Sequence, residues 1–80
     1  IAWLQKHVKE GKHRFTLHAV ERCIERDISP VEIEEVILSG EIIEDYPHDK
    51  YGPTCLVYGA TKKGRILHVL CSLEPVWIIT

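Results

Sequence analysis

The sequence predicts an α+β domain in which N-terminal helices pack on one face of a four-stranded antiparallel sheet. Apolar residues recur at helical spacing as far as residue 39, and after Gly40 the pattern turns extended. Lys62-Lys63-Gly64, between two β-rich runs, marks a hairpin. Helices first and a strand meander second is the order of an α+β fold, not of a wound parallel sheet.

Each element has its own signal. Ile1, Leu4 and Val8 keep helical spacing over residues 1–10, and Gly11 stands where that helix should stop. Residues 12–15 read as a basic connector, after which Thr16 caps a second helix over residues 17–27. Ser29-Pro30-Val31-Glu32 starts a third helix over residues 30–39, with Ser at the cap, Pro in the first turn and Glu three residues on. Ile33, Val36 and Ile37 give that helix its apolar stripe, Glu32, Glu34 and Glu35 face solvent, and Gly40 ends it. Strands are expected at residues 42–46, 54–61, 65–73 and 76–80, with Pro47 closing the first and Glu74-Pro75 turning into the last.

The hairpin allows a sharper expectation. If Gly64 forms the bulge that follows a type I turn, residues whose numbers sum to 126 lie opposite one another. Tyr58 then faces His68, on a face shared with Leu56, Ala60, Ile66 and Leu70. Val57, Leu67, Val69 and Cys71 occupy the other face and suit packing beneath helices.

Eighty residues suffice for one domain, residues 1–80, that buries roughly 60% of the surface its unfolded chain exposes. Ordinary hydrophobic (45%) and charged (28%) contents exclude a disordered chain. No apolar run approaches the about 20 residues of a membrane span, and no signal-peptide pattern opens the chain. Cys23, Cys55 and Cys71 form neither a disulfide framework nor a zinc ribbon, so free thiols in a cytoplasmic protein without metal or cofactor are expected. The start at Ile1 and the end inside the apolar run Val76-Trp77-Ile78-Ile79-Thr80 are read as trimmed, the C-terminal one above all.

Charge is segregated. Residues 1–20 and 50–80 each balance to +3, while residues 21–49 carry ten acids against Arg22 and Arg26. Within the second helix His18, Arg22 and Arg26 recur every fourth residue and so form one ridge, with Val20, Cys23, Ile24 and then Ile28 available to a core on the other side. A titratable imidazole beside two guanidinium groups suits a polyanion. The plainer reading pairs Arg22 and Arg26 with Glu21 and Glu25 on a solvated face.

These residues also carry a resemblance. Residues 16–29 (with Leu17 between Thr16 and His18), 34–56, 67–69 and 76–80 are similar, in order and spacing, to the uncharacterised domain family 4258. That family resembles, in element order, small bacterial toxins of the RelE and MqsR type and colicin-type tRNases. The resemblance implies a toxin acting as an endoribonuclease, and as partner an antitoxin protein with a zinc ribbon and a helix-turn-helix. Relatives run past Thr80, so a terminal group is expected to be missing.

Metal-independent RNA cleavage needs a base for the 2′-hydroxyl, an acid for the departing 5′-oxygen and cations for the phosphate. His18 and His68 are the candidate acid–base pair, Arg22 the phosphate clamp, and Tyr58 an orienting or stacking ring. Arg26, Tyr46, Lys50, Lys62, Lys63 and Arg65 are the candidate RNA contacts. His7, His13 and His48 are weaker candidates, and Cys55 belongs to the core face rather than to nucleophilic chemistry. Against the enzyme stands a non-catalytic protein-binding module, for which the acidic middle would attract a basic partner. A small metabolic enzyme is disfavoured, since no glycine-rich phosphate loop is present.

Overall fold

Capping chemistry sets the helix ends. In the computed structural model, which describes all residues except Tyr51, Glu74 and Thr80, the first helix α1 covers Ala2–Lys9 and buries Leu4 and Val8. The second, α2, covers Leu17–Glu25, with the Ala19 amide donating to the Thr16 hydroxyl at 3.1 Å. The third, α3, covers Pro30–Ser39 behind the expected reciprocal cap: the Glu32 amide donates to Ser29 Oγ, and the Ser29 amide to Glu32 Oε1.

The first two helices end alike, on different residues. Lys12 N donates to the His7 carbonyl and Gly11 N to Val8; Ile28 N donates to Cys23 and Asp27 N to Ile24. Both sets close the last turn through a left-handed residue, Gly11 (φ 73°) in one case and Asp27 (φ 53°) in the other. Gly40 behaves otherwise. Its backbone is extended (φ −96°, ψ −169°), so its value is smallness: a Cβ there would lie 2.4 Å from the Tyr58 carbonyl oxygen. The Gln5 amide of α1 instead donates to the carbonyls of Ile37 and Leu38 at the end of α3, both at 3.2 Å.

Five strands form one mixed sheet: β1 (Arg14–Phe15), β2 (Glu41–Tyr46), β3 (Thr54–Ala60), β4 (Ile66–Leu73) and β5 (Val76–Ile78), in spatial order β1-β5-β4-β3-β2. The expected antiparallel meander is present as β2 to β5. A four-stranded, wholly antiparallel sheet is corrected by β1. The connector at Arg14 and Phe15 lies parallel to β5, opposite Trp77 and Ile78, and makes the sheet mixed. Two residues carry no readable period, and their pairing partner is more than sixty residues away.

The hairpin register is the expected one, from Thr54 opposite Ser72 to Tyr58 opposite His68 and Ala60 opposite Ile66. Gly64 has φ 87° and donates to the Thr61 carbonyl, as the bulged turn requires. Val57, Val69, Cys55 and Cys71 are fully buried beneath Ile33, Val36 and Ile37. Burial holds all three thiols above their ordinary pKa, with Glu32 adding to the effect at Cys23 and Asp45 at Cys55. Tyr58, His68 and Ile66 are exposed on the opposite face, and the buried residues of all three helices belong to the core on the first.

The orientation of α2 corrects a second expectation. Its core-facing residues are Ala19 and Cys23, whereas Val20 (40% exposed) and Ile24 (75%) point outward with Leu17. At 100° per residue it therefore presents four ridges: Ala19/Cys23 buried, Leu17/Val20/Ile24 apolar and exposed, Glu21/Glu25 acidic, and His18/Arg22/Arg26 cationic. No helix among the described residues is long and apolar enough to cross a membrane.

Candidate functional site

The rotation of α2 brings its Arg22–Arg26 ridge beside the Ile66–His68 stretch of β4. Arg22 and Arg26 line a cleft of about 180 Å³ with His68 and Ile66 of β4, above an apolar floor that includes Cys23, Ile33 and Ile78. The two arginines come from successive turns of the helix, and the imidazole from the strand beside it. β5 pairs β4 at Cys71–Leu73, and Ile79 N donates to the Leu70 carbonyl, so α2 rather than a described strand flanks the His68 end of β4.

Within this cleft Arg22 is held on one side only. Its NH1 lies 3.8 Å from Glu25 Oε2, a partly exposed i,i+3 contact, while its Nε is buried and has no hydrogen-bond partner among the described residues. Such a pair contributes little, and it leaves most of the guanidinium fork for an anion. Arg26 makes no ion pair among the described residues, and neither arginine pairs with Glu21. The His68 ring packs on Tyr58, its expected cross-strand partner, with centroids 5.1 Å apart and planes inclined at 58°. Arg22, Arg26, His68 and Tyr58 thus form one connected group.

His18 is placed apart from that group. It lines a neighbouring cavity of about 450 Å³ with Thr16, Ser72, Pro75, Trp77 and Ile79. One helical turn separates it from Arg22, so the ridge is continuous while the two concavities differ.

The hairpin cations are positioned differently. Arg65 donates through NH1 to the Asp27 carbonyl at 2.8 Å and through NH2 to the Arg26 carbonyl at 3.1 Å, with Glu32 Oε2 3.4 Å from NH1. Its guanidinium caps the carbonyl end of α2 and ties the turn to α3. The Arg65 side chain, expected among the RNA contacts, is 40% exposed beside these anchoring contacts. Lys62 and Lys63 lie beside α3: the Lys62 amide donates to Glu35 Oε1 at 3.2 Å, and Lys63 lies close enough to Glu32 to help lower its pKa. The backbone of Ser29 is the largest cause of that lowering, followed, among the groups that favour the carboxylate, by Arg65.

Tyr46 lies at the β2 edge, opposite Thr54, and its hydroxyl donates to Glu44, which raises its pKa. Two strands, β3 and β4, lie between it and β5 in the sheet order. Lys50 is exposed in the loop after β2, and its contacts do not bring it into the cleft lining. His13 is 8% exposed at its side chain, with Nε2 2.9 Å from Glu34 Oε2 and Nδ1 buried without a partner among the described residues. It joins the start of β1 to α3. His7 Nδ1 donates to the Trp3 carbonyl (3.0 Å), and the ring stacks on that tryptophan. Among the described residues no group of three or more His, Cys, Asp or Glu side chains is arranged to hold a metal ion.

Sequence reasoning did not single out Trp77. It lines both the His18 cavity and a further one of about 280 Å³ beside Lys12 and Arg14. The available signal was a lone tryptophan in a terminal apolar run, and its role depends on β1, which the sequence hid. No curated protein and no solved structure matches the chain significantly. A family model does match, over residues 15–80, which is most of the chain and includes every residue of the cleft. The chain belongs to the family described as Domain of unknown function (DUF4258).

Proposed function

We propose that this domain is a metal-independent endoribonuclease of the bacterial toxin type, with RNA as substrate. The observation that carries the reading is the joint lining of one cleft by Arg22, Arg26 and His68, with Tyr58 against the imidazole. In this reading Arg22 and Arg26 hold the non-bridging oxygens of a phosphodiester and stabilise the extra negative charge of the pentacoordinate state. The 2′-oxygen attacks phosphorus as its proton is removed, a cyclic phosphate forms, and the 5′-oxygen leaves with a proton. His68 performs one of these transfers at the cleft, and His18, one turn along the ridge from Arg22, performs the other. Tyr58 fixes the plane of the His68 ring.

Helices on one face of a sheet with an antiparallel meander support the likeness to RelE, MqsR and colicin-type tRNases, although fold alone warrants no activity. Arg26 stays in the set of RNA contacts. Lys62 and Lys63 contribute weakly there because acids oppose them.

A second reading, a non-catalytic module that binds a partner protein with a zinc ribbon and a helix-turn-helix, is favoured by a separate observation. Leu17, Val20 and Ile24 form an exposed apolar ridge bordered by Glu21 and Glu25. This pattern suits an amphipathic partner helix whose apolar stripe is edged by Lys or Arg. The cleft and the apolar ridge lie on different flanks of α2, so both roles fit one domain. Inducible bacterial expression separates them. Growth arrest with RNA loss, abolished by Arg22→Ala but not by Ile24→Lys, is the enzyme's outcome; growth and RNA that are untouched by expression leave the binding module.

A further inference from the structure

Trp77 stands on the exposed side of the sheet in register with Arg14 of β1 and Ser72 of β4. Its backbone N–H donates to Ser72 Oγ at 3.0 Å, and that hydroxyl donates to the Pro75 carbonyl at 2.7 Å, which fixes the strand beneath the ring. The indole is half-buried and forms the shared wall of two cavities. The larger has His18 at its border, and the smaller has Lys12 and Arg14.

An imidazole therefore flanks the ring on one side and two cations flank it on the other, and no described acid neutralises the nearest of those cations. Arg14 is exposed and makes no ion pair among the described residues. Lys12 lies 3.5 Å from Glu10, with both side chains well exposed, an arrangement that leaves its charge largely available. A planar aromatic surface beside positive groups is the pattern that binds single-stranded nucleic acid: the base stacks, and the adjoining phosphates find the cations. A duplex is a poor fit, since its bases are stacked on one another and closed to an indole.

We propose that Trp77, with Arg14, Lys12 and His18, forms a second subsite that stacks one unpaired base of an RNA strand whose phosphate occupies the Arg22–His68 cleft. This inference rests on the RNA reading of that cleft. His18 then sits between the two subsites along the strand's path, which accounts for its separation from His68. The strand follows the ridge of α2 from Trp77 toward Arg26.

The chain's two tryptophans make the test direct. In Trp3→Phe, Trp77 is the sole indole emitter, and the ring contact with His7 is retained by the phenyl group. The probe is a uridine hexanucleotide with 2′-O-methyl riboses, which cannot be cleaved through the 2′-oxygen. Saturable quenching of Trp77 emission is expected. Removal of both Lys12 and Arg14 as alanines should weaken binding about tenfold near 0.1 M salt and lower the log–log salt slope by roughly 1.4. Trp77→Leu, with folding verified by far-UV circular dichroism, should weaken binding of a labelled probe about tenfold or more by anisotropy.

Unchanged Trp77 emission at probe concentrations that saturate anisotropy overturns the subsite, as does undiminished affinity in folded Trp77→Leu. Equal quenching by hexaglutamate also overturns it, because the surface would then read charge alone. The two proposals fail separately. Quenching without cleavage of unmodified RNA leaves the base subsite and removes the ribonuclease; cleavage with a silent Trp77 does the reverse.

Discussion

The cationic ridge of α2 and the hairpin at residues 62–65 look alike in the sequence, each with closely spaced basic residues, and the fold uses them in opposite ways. At the hairpin the turn lies against acids and carbonyls of the helices: the Arg65 guanidinium on carbonyls at the end of α2, the Lys62 backbone N–H on Glu35 of α3, and Lys63 in the field of Glu32. Along α2 the acids Glu21 and Glu25 occupy a separate ridge, and only a 3.8 Å contact from Glu25 reaches Arg22. Basic residues become a site when the fold separates them from their counter-ions. Charge counts over a segment cannot reveal that separation.

Substitutions in the two regions should divide cleanly between activity and stability. The largest effect is expected from Arg22→Ala, a loss of about 2–4 kcal/mol of transition-state stabilisation, read as kcat/KM on a single-stranded RNA. Its stability should move by only about 0.5 kcal/mol in urea titration, since the contact it loses is long and exposed. Arg22→Lys should recover part of the rate, a point charge replacing a planar fork. A drop in stability larger than the drop in rate would place Arg22 with the structural cations.

Arg65→Ala should do the reverse and cost about 2 kcal/mol of stability, because two carbonyls at the end of α2 and one carboxylate lose a charged donor. Residual activity per folded molecule should stay near that of the parent. Equal denaturation midpoints for the two proteins would show that the anchor carries no stability and that the distinction between the regions is wrong.

The same anchor predicts a pH signature. Glu32 titrates below its ordinary value of 4.5, chiefly through the Ser29 backbone N–H, which outweighs the opposing effect of desolvation, with Arg65, the Ser29 hydroxyl and Lys63 adding to the lowering in that order. A group whose pKa is lowered by folding contributes stability that is present above its unfolded value and lost as pH falls through its folded one. Denaturation midpoints should therefore decline below about pH 4.5, and less steeply in Glu32→Gln. An identical slope in the variant would remove Glu32 from the acid response. The smallest effect is expected from replacing Lys62 and Lys63 together by alanine, within about twofold in RNA affinity, since each phosphate contact they could offer competes with α3 acids. A clear fall in salt slope there would return the hairpin tip to the RNA path.

Much of the frame was legible because it rests on local chemistry. Ser29, Pro30 and Glu32 announce the start of α3, and Gly64 with the β-rich flanks sets the hairpin register that brings Tyr58 opposite His68. What the sequence withheld depends on distant packing. Arg14 and Phe15 become a strand only because β5 lies beside them. Ile24 outranks Ala19 in hydrophobicity, yet Ala19 and Cys23 are the buried pair and Ile24 is exposed, so α2 is rotated from its most apolar orientation. That rotation turns Arg22 and Arg26 into the cleft and leaves His18 beside Trp77. Spacing placed the three on one ridge, but could not tell which concavity each would border.

The central claim is that Arg22 and His68, from different elements, act on one phosphate. A double-mutant cycle in kcat for cleavage of a single-stranded RNA, using Arg22→Ala, His68→Ala and the double variant, tests it directly. Groups serving one transition state should be strongly non-additive, with the double variant little slower than the worse single one and a coupling of about 1–3 kcal/mol. Additive losses in folded variants, or cleavage at the parent rate in the double variant, would contradict the shared site.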